Sequence, residues 1–368
     1  MKVLMISKAL VVGAYHGKLR ELSRLGVDLS VVVPERWGSQ ALERVEPDGY
    51  ELRVLPCRFT GSHHFHYYPA IANVIRERNW DIVHIDEEPF NFVSFHAARV
   101  CAKAKRRAIF FTWQNLMKEY PPPFGLFERR TFQSASGAVT GNAEATNILQ
   151  RRGFRKPIEM IPQFGIDPAV FRRQEAGELR RKLGLNGSFA VGFIGRIVPE
   201  KGLDTVVRAL NLLPADYTFV PVGSGPYRDE LGSRVRGLGL EKRVRWVPWV
   251  NSAEVPEYLN AFDALVLPSR TTRAWKEQFG RALVEAMACE TCVVGSDSGE
   301  IPNVIGDAGL VFHEGDERAL AERLQRLAGN RSLRESMGQR GRERVLEHYT
   351  HAKIARDTAR FYEQVGRD

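Results

Sequence analysis

The stretch ALVLPSRTTRAWKEQFGRALVEAMACETCVVGS, residues 264–296, contains a complete strand–loop–helix–strand unit. Its first six and last six residues are apolar runs bounded by turn-forming residues, which is typical of strands buried on both faces of a parallel sheet. Between these runs, residues 280–288 carry apolar side chains at helical spacing, and Gly280 stands at the start of the pattern. The unit therefore predicts an α/β fold in which helices connect parallel strands.

The same alternation of strand and helix runs through the rest of the chain. Strands are predicted at residues 2–7, 28–34, 81–85, 107–112, 137–141, 158–163, 189–195, 217–223, 244–249, 264–269 and 291–296. A segment punctuated by proline and glycine, residues 162–171, divides them into two runs. Because 368 residues exceed one ordinary core, we expect two doubly wound Rossmann-like domains, residues 1–165 and 166–348. A C-terminal helix at 349–368 is expected to pack back onto the first domain.

The composition argues against several classes of protein. Hydrophobic residues make up 43% of the chain and charged residues 26%, as in ordinary soluble globular proteins. No apolar stretch approaches the ~20 residues that a membrane-spanning helix needs. The apolar N-terminus is interrupted by Lys8 and predicts a first buried strand instead of a signal peptide. Four cysteines are too few for a disulfide framework, so a reducing, cytoplasmic location is expected.

The positive charge is concentrated in the first half of the sequence. Residues 1–165 contain 23 lysines and arginines against 16 acidic residues, a net charge of +7 out of +9 for the chain. A basic surface of this kind suits nucleic acid, an anionic lipid surface or a phosphorylated substrate, but it can also be merely solvated. Peripheral contact with the inner face of an anionic cytoplasmic membrane is therefore a candidate partner interaction, and nucleic acid is not expected.

Three loops follow predicted strands in the second half and carry polar groups suited to a ligand. In the first, GRIVPEKG (195–202), Gly195 permits a sharp turn, and Arg196 and Lys201 approach the start of the next helix. Two cations beside backbone N–H groups suit a diphosphate, although both could simply be exposed. The second loop, at 221–231, contains Gly-x-Gly but has Arg228 where a dinucleotide fingerprint requires a third glycine.

The third loop and the following helix contain Glu277 and Glu285, eight positions apart. Helical phase points Leu283, Val284 and Met287 toward the core and leaves Glu285 lateral, where it could accept hydrogen bonds from two vicinal hydroxyls such as those of a ribose. Glu277, in the loop, could meet a second polar group. An acid/base pair, a metal site and a solvated helix face are the alternatives.

A further group of candidates follows the predicted strand at 81–85. His84, Asp86 and Glu87, with Glu88 next to them, could orient an acceptor hydroxyl or act as a base, or they could form a solvated acidic loop. The three histidines within residues 62–68 and the isolated pair Cys289 and Cys292 lack the spacing of a zinc site. No Asp-x-Asp motif occurs, and no metal or other cofactor is expected.

Four segments, in order, resemble the retaining glycosyltransferases of family 4. They are IPQFGIDPAVF (161–171), GRIVPEKG (195–202), VGSGP (222–226) and the stretch from Glu277 to Phe312, which is the most specific. The resemblance covers essentially the whole chain. It implies the GT-B fold, in which two doubly wound Rossmann-like domains face each other across a cleft.

The resemblance also assigns roles in the second domain, which would hold a nucleotide-diphosphate-sugar donor. Arg196 and Lys201 would neutralise the diphosphate, Glu285 would hold the ribose, and Glu277 would contact the transferred sugar. The remaining donor-binding positions are Gly195, Trp249, Val250, Phe279 and Gly280.

The first domain matches the family less well. Relatives usually have a glycine-rich loop after the first strand, where the backbone approaches the donor phosphates. This sequence offers Gly13 and Gly17 there, without an adjacent glycine pair, and Gly13 is the better candidate of the two. Many relatives also have a histidine near the transferred sugar, where this sequence has Gln114. Glutamine can donate and accept a hydrogen bond but cannot hold the charge of a proton.

The reaction implied is metal-independent, retaining transfer of a hexose from a UDP- or GDP-type sugar to a hydroxyl acceptor. The acceptor would be a saccharide or a lipid-linked molecule, in polysaccharide, glycolipid or glycoconjugate synthesis. Arg196, Lys201, Glu277 and Gln114 are the predicted catalytic residues, and His84, Asp86 and Glu87 are the acceptor-side candidates. The alternatives are a nucleotide-sugar epimerase or hydrolase on the same scaffold, and a non-catalytic subunit that binds nucleotide sugars.

Overall fold

The computed structural model describes residues 1–367 and divides the chain into two units. The first unit contains residues 1–165 and the C-terminal segment from residue 351, and the second contains residues 166–350. Each unit has its own parallel sheet and hydrophobic core. Within the described residues, no helix is long and apolar enough to cross a membrane.

The first unit is built on a seven-stranded parallel sheet. The strands of this unit are β1 (Lys2–Ile6), β2 (Asp28–Pro34), β3 (Arg36–Trp37), β4 (Gln40–Ala41), β5 (Glu51–Leu55), β6 (Ile82–Ile85), β7 (Arg107–Thr112), β8 (Gly137–Thr140) and β9 (Ile158–Met160). Of these, β3 and β4 form a separate antiparallel hairpin, and the other seven form the sheet. The strand order is β5-β2-β1-β6-β7-β8-β9. The direction of winding therefore reverses between β1 and β6, which makes their carboxyl ends a switch point suited to ligands.

Helices cover both faces of this sheet. Those of the first 165 residues are α1 (Gly17–Arg24), α2 (Ile71–Glu77), α3 (Phe92–Lys103), α4 (Phe124–Ser134) and α5 (Ala143–Arg151). The C-terminal helix joins them, because the sequence returns to this unit at His351 and packs against α1. A side chain at Gly17 would lie 2.3 Å from the ring of His351, so glycine is needed for this close approach.

The second unit contains a five-stranded parallel sheet. Its strands are β10 (Phe189–Ile194), β11 (Tyr217–Val222), β12 (Ala264–Leu267), β13 (Cys292–Ser296) and β14 (Leu310–Phe312). Its helices are α6 (Gly177–Lys182), α7 (Leu203–Leu212), α8 (Arg228–Gly237), α9 (Val255–Ala261), α10 (Arg281–Ala288), α11 (Ile301–Ile305), α12 (Glu317–Ala328) and α13 (Arg331–His348). The C-terminal helix α14 (His351–Arg367) follows them and belongs to the first unit. The order β11-β10-β12-β13-β14 puts this sheet's switch point between β10 and β12.

The strand predictions include one wrong segment and miss two edge strands. The predicted strand at 244–249 is wrong: Val244 and Val247 make only isolated bridges to the edge of β11, and the segment then leaves the sheet at an exposed Trp249. The edge strands β5 and β14 were not predicted, because the side chains of β5 are half-buried or exposed and form no apolar run, and β14 has only three residues. A continuous apolar pattern identifies central strands better than edge strands.

Candidate functional site

The switch point of the second sheet brings together the two loops that carry most of the predicted donor-binding residues. Lys201, in the loop after β10, donates a hydrogen bond of 2.6 Å from Nζ to Oε2 of Glu277, in the loop after β12. The hydroxyl of Ser269 donates to the same oxygen at 2.7 Å. Ser269 is fully buried. It was not among the predicted residues, although only Pro268 separates it from the end of β12.

The pair of Lys201 and Glu277 keeps limited access to solvent. The side chain of Lys201 is 20% exposed and that of Glu277 is 9% exposed. The ammonium group of Lys201 also lies 5.0 Å from the ring centre of Trp275, which favours the cation through the charge distribution of the ring. A charge-assisted bond in such a shielded setting is strong, yet the lysine has two further N–H donors for a ligand.

Two glycines determine the path of the loop that carries Glu277. Gly299 has φ +58°, and a Cβ there would lie 2.0 Å from the carbonyl oxygen of Glu277, which accepts a hydrogen bond from the amide of Glu300. Gly280, at the start of α10, has φ +82°, and a Cβ there would lie 2.9 Å from Leu267. Only glycine adopts these backbone angles at such close approach without strain.

Glu285 lies in the second turn of α10, and the helix packs as the sequence predicts. Leu283, Val284 and Met287 are buried in the core of the unit, whereas Glu285 retains 9% exposure. Its Oε1 accepts a hydrogen bond of 2.6 Å from Nε of Arg281, one turn earlier on the helix. The carboxylate therefore lies along the helix side with its charge balanced by a neighbouring cation.

The predicted glycine turn after β10 packs directly against the turn after β11. A Cβ on Gly223 would lie 2.0 Å from the carbonyl oxygen of Gly195, and one on Gly225 would lie 2.2 Å from that of Ile197. The absence of side chains lets the two backbones touch, as expected of loops that line a phosphate site. Arg196 is exposed at this turn.

Of the remaining donor-side candidates, Trp249 and Val250 follow a segment bonded to the turn after β11, and Phe279 lies in the loop of Glu277. The carbonyl of Val247 accepts a bond of 3.0 Å from the amide of Gly223, which places the following Trp249 and Val250 beside the β11 turn. Trp249 is 68% exposed, while Val250 packs partly on the core. The ring of Phe279 packs at 5.6 Å against Tyr349, so its side chain has a packing role and only its backbone is suited to a ligand.

At the switch point of the first sheet, the residues after β1 bond to those after β6. Ser7 donates from its hydroxyl to Oδ2 of Asp86 at 2.7 Å, and the amide of Lys8 donates to Oε1 of Glu87 at 2.9 Å. The ammonium of Lys8 forms an ion pair with Oε2 of the same glutamate. It also lies 5.3 Å from the ring centre of Trp37, on the β3–β4 hairpin.

The three acceptor-side candidates take part in this buried network. Burial lowers the pKa of His84 to about 4, and its Nδ1 bonds at 2.7 Å to the hydroxyl of Tyr362 on α14. Burial would raise the pKa of Glu87, but Lys8 and His66 outweigh it and hold the pKa at about 2. The side chains of Glu87 and Asp86 have no exposed surface, so a direct role at an acceptor stays a prediction.

Gln114 lies in a loop after β7 that is held by side chains. The backbone amide of Gln114 donates to Oγ1 of Thr112 at 3.1 Å, and its side-chain amide donates to the carbonyl of Leu116. Glu88 accepts from the Thr112 hydroxyl at 2.5 Å and from the amide of Trp113 at 2.8 Å. Burial raises the pKa of Glu88 to about 7.

Gly13 lies in a helical turn after β1. Its amide donates at 2.7 Å to Oε2 of Glu43, and a Cβ there would lie 2.4 Å from the side chain of Val45. The amide predicted to approach the donor phosphates therefore bonds to a carboxylate of the same unit. No group of three or more metal-ligating side chains occurs within residues 1–367.

Two family descriptions match adjacent parts of this sequence. The family described as "Glycosyltransferase Family 4" matches residues 17–169, and the one described as "Glycosyl transferases group 1" matches residues 175–344. Together they cover most of both units, but not the segment after β1 that carries Ser7, Lys8 and Gly13.

Curated relatives include sugar transferases with different acceptors. The N-acetyl-alpha-D-glucosaminyl L-malate synthase of Bacillus anthracis is 31% identical over 218 residues, which is 58% of this chain and 55% of that protein. The D-inositol 3-phosphate glycosyltransferase of Mycobacterium ulcerans is 35% identical over 218 residues, 58% of this chain and 45% of that protein. The match thus spans about half the length of these relatives.

Solved structures match over the full length of the chain. HepE from Anabaena, in complex with UDP, has a TM-score of 0.78 at 19% identity, with 99% of this chain and 100% of that chain covered. WaaG, a glycosyltransferase involved in lipopolysaccharide biosynthesis, has a TM-score of 0.69 at 18% identity, with 98% and 99% covered. At these identities, the comparison establishes the two-domain GT-B fold alone.

Proposed function

Since this chain belongs to the group 1 glycosyltransferases of family 4, we propose that it transfers a hexose from a nucleotide-diphosphate sugar to a hydroxyl acceptor with retention of configuration. The donor is of the UDP or GDP type, and the product belongs to a polysaccharide, glycolipid or other glycoconjugate. HepE, which shares the fold, was solved with UDP and with UDP-glucose, which supports a nucleotide-sugar donor.

The pairing of Lys201 with Glu277 at the second switch point is the observation that carries this proposal. A cation and a carboxylate 2.6 Å apart offer neighbouring partners for a phosphate oxygen and a sugar hydroxyl. Arg196, exposed at the turn between Gly195 and Ile197, adds a second cation on the phosphate side. Glu285 then receives the ribose hydroxyls.

In this proposal, the protein's own cations stabilise the leaving group. Negative charge develops on the diphosphate as the glycosidic bond breaks, and Lys201 and Arg196 would stabilise that charge most strongly in the transition state. We therefore propose that no metal is required. Excess EDTA should leave the transfer rate essentially unchanged, and a strict requirement for Mg²⁺ would count against this mechanism.

The donor assignment is tested by thermal shift with UDP, GDP, UDP-glucose and GDP-mannose, since a ligand bound to the folded state raises its stability. Arg196→Ala and Glu285→Ala should abolish most of the shift and lower transfer by about 100-fold. Arg129→Ala, at an exposed position on α4, is the matched control. Full donor binding in both site variants would overturn the assignment.

Incubation of the wild-type protein with donor alone separates the two alternative functions. Rapid conversion of the donor without acceptor would indicate an epimerase or hydrolase. Donor binding without turnover over a broad acceptor panel would indicate a non-catalytic subunit.

We also propose that the first unit contacts an anionic membrane surface on the cytoplasmic side. Cations cluster where β7 and β9 begin, on the two sides of β8, and no carboxylate lies within residues 102–108 or 146–158. Exposed members are Lys103, Lys105, Arg107, Arg151, Arg155 and Lys156. Co-sedimentation with phosphatidylglycerol vesicles should be lost when Lys105 and Arg107 are changed to glutamine, and binding to neutral vesicles should be absent.

A further inference from the structure

The switch point of the first sheet repeats the side-chain arrangement of the second. In each, a lysine after one strand pairs with a glutamate that follows the neighbouring strand, and a tryptophan ring lies about 5 Å from the ammonium. In the first unit, these residues are Lys8, Glu87 and Trp37. The recurrence at equivalent places of two doubly wound sheets indicates a second ligand site, because crevices at such places bind ligands.

The exposed parts of the first group indicate what a ligand would touch. The side chain of Glu87 has no exposed surface, whereas that of Lys8 is 15% exposed. Trp37 is partly exposed on its hairpin, and the exposed ring of His63 lies 5.4 Å from it in an edge-on orientation. A ligand would therefore meet an ammonium group, an indole ring and an imidazole, with the carboxylate enclosed behind them.

The charge balance of this group favours a neutral ligand. Glu87 is fully enclosed and bonds to both the amide and the ammonium of Lys8, so it neutralises this cation, whereas the second site adds the exposed Arg196 to its lysine–glutamate pair. Burial and the charge of Lys8 lower the pKa of His63, which keeps its imidazole neutral near pH 7. An N–H donor, a neutral imidazole and an apolar ring together suit the hydroxyls and C–H face of a sugar better than a phosphate.

We propose that Lys8 and Trp37 form a subsite for a neutral saccharide, which serves as the acceptor of the transfer. Lys8 donates to a ring or hydroxyl oxygen, Trp37 covers the apolar face of the sugar, and Glu87 holds the ammonium in place. The identification of this saccharide as an acceptor rests on the proposed transferase function, whereas its binding here does not.

Saturation-transfer NMR tests the subsite, with methyl α-D-glucopyranoside and methyl α-D-mannopyranoside as probes. Because Lys8→Met alone leaves a buried carboxylate unpaired, the lysine is tested in the double variant Lys8→Met/Glu87→Gln. Trp37→Leu leaves the ion pair intact and provides an independent second variant. Lys2→Gln, at the exposed amino end of β1, is the control.

At least one glycoside should give a signal with the wild-type protein and with Lys2→Gln. The signal should fall about tenfold in the double variant and in Trp37→Leu, while the thermal shift produced by UDP stays the same in all four proteins. No signal from either glycoside, an undiminished signal in both variants, or displacement by excess inorganic phosphate would overturn the proposal. A glycoside signal without any UDP shift in the wild type would instead contradict the donor assignment and leave the subsite standing.

Discussion

The two switch points share a topology and a lysine–glutamate pair, but their glutamates are held differently. Glu87 lies two residues beyond the end of β6, and its side chain is completely enclosed. Glu277 lies ten residues beyond the end of β12, on a loop without regular structure, and keeps access to solvent. A short connection encloses the carboxylate within the protein, whereas a long loop presents it at the edge of the site.

This difference suits the first glutamate to a structural role and the second to the proposed ligand-binding role. In the first unit, Glu87 accepts from two donors of Lys8 and stays ionised, with its pKa held at about 2. In the second, Lys201 and Ser269 meet a single oxygen of Glu277. The comparison predicts that loss of Glu87 mainly weakens folding and loss of Glu277 mainly weakens chemistry.

The largest expected effect comes from the same substitution at both positions. Glu277→Gln should lower transfer by about 100-fold or more, because a charged partner of the reacting sugar is lost, with a stability loss of about 1 kcal/mol. Glu87→Gln should lower the free energy of unfolding by about 3 kcal/mol, since the charge of Lys8 loses its buried partner. Urea denaturation and initial transfer rates measure the two effects, and equal losses in both variants would remove the distinction.

A smaller effect should follow from replacing the glycine that supports the loop of Glu277. Gly299→Ala combines φ +58° with a Cβ only 2.0 Å from a carbonyl oxygen, so we expect a loss of about 2 kcal/mol and a weaker UDP thermal shift. Gly26→Ala is the matched control, because Gly26 has φ +82° with no atom within 4 Å of the added Cβ. It should cost about 1 kcal/mol and leave the UDP shift unaltered. Equal effects of the two changes on UDP binding would contradict the role of the close contact.

The smallest effect concerns pH and the first unit alone. Burial raises the pKa of Glu88 to about 7, against the smaller effect of the hydrogen bonds from Thr112 and Trp113, so its contribution to stability is present at low pH and is lost as pH rises through about 7. Glu88→Gln removes the cost of the charged form and should raise the melting temperature by a few degrees more at pH 8 than at pH 5. The exposed Glu119→Gln is the control. A shift that is the same at both pH values would show that Glu88 does not titrate in this range.

The alternating pattern of the sequence predicted the central strands of both sheets and the helix that carries Glu285. Those elements bury continuous apolar faces, so their pattern is local and strong. The edge strands β5 and β14 were missed and the bridging segment at 244–249 was misassigned, because their hydrogen bonds depend on a neighbouring strand more than on their own side chains.

The candidate site was only partly predictable. Glu277, Lys201 and Arg196 were predicted because they follow buried strands and match a family pattern, and the structure pairs the first two. Ser269 has no signal in the sequence beyond its place after β12, since its role depends on a hydroxyl 2.7 Å from a residue eight positions away. His84 and Asp86 show the opposite case: their residue types suggest chemistry, yet the fold buries both.

The sequence by itself determined the α/β class, the two domains and the family, because these follow from apolar periodicity and from motifs read in order. The tertiary structure decided which carboxylates remain accessible and which cations they meet. That choice depends on strand order and loop length: Lys8 meets Glu87 across 79 residues, and Lys201 meets Glu277 across 76. Electrostatic partners at such separations are selected by the packing of the sheet, which no local pattern encodes.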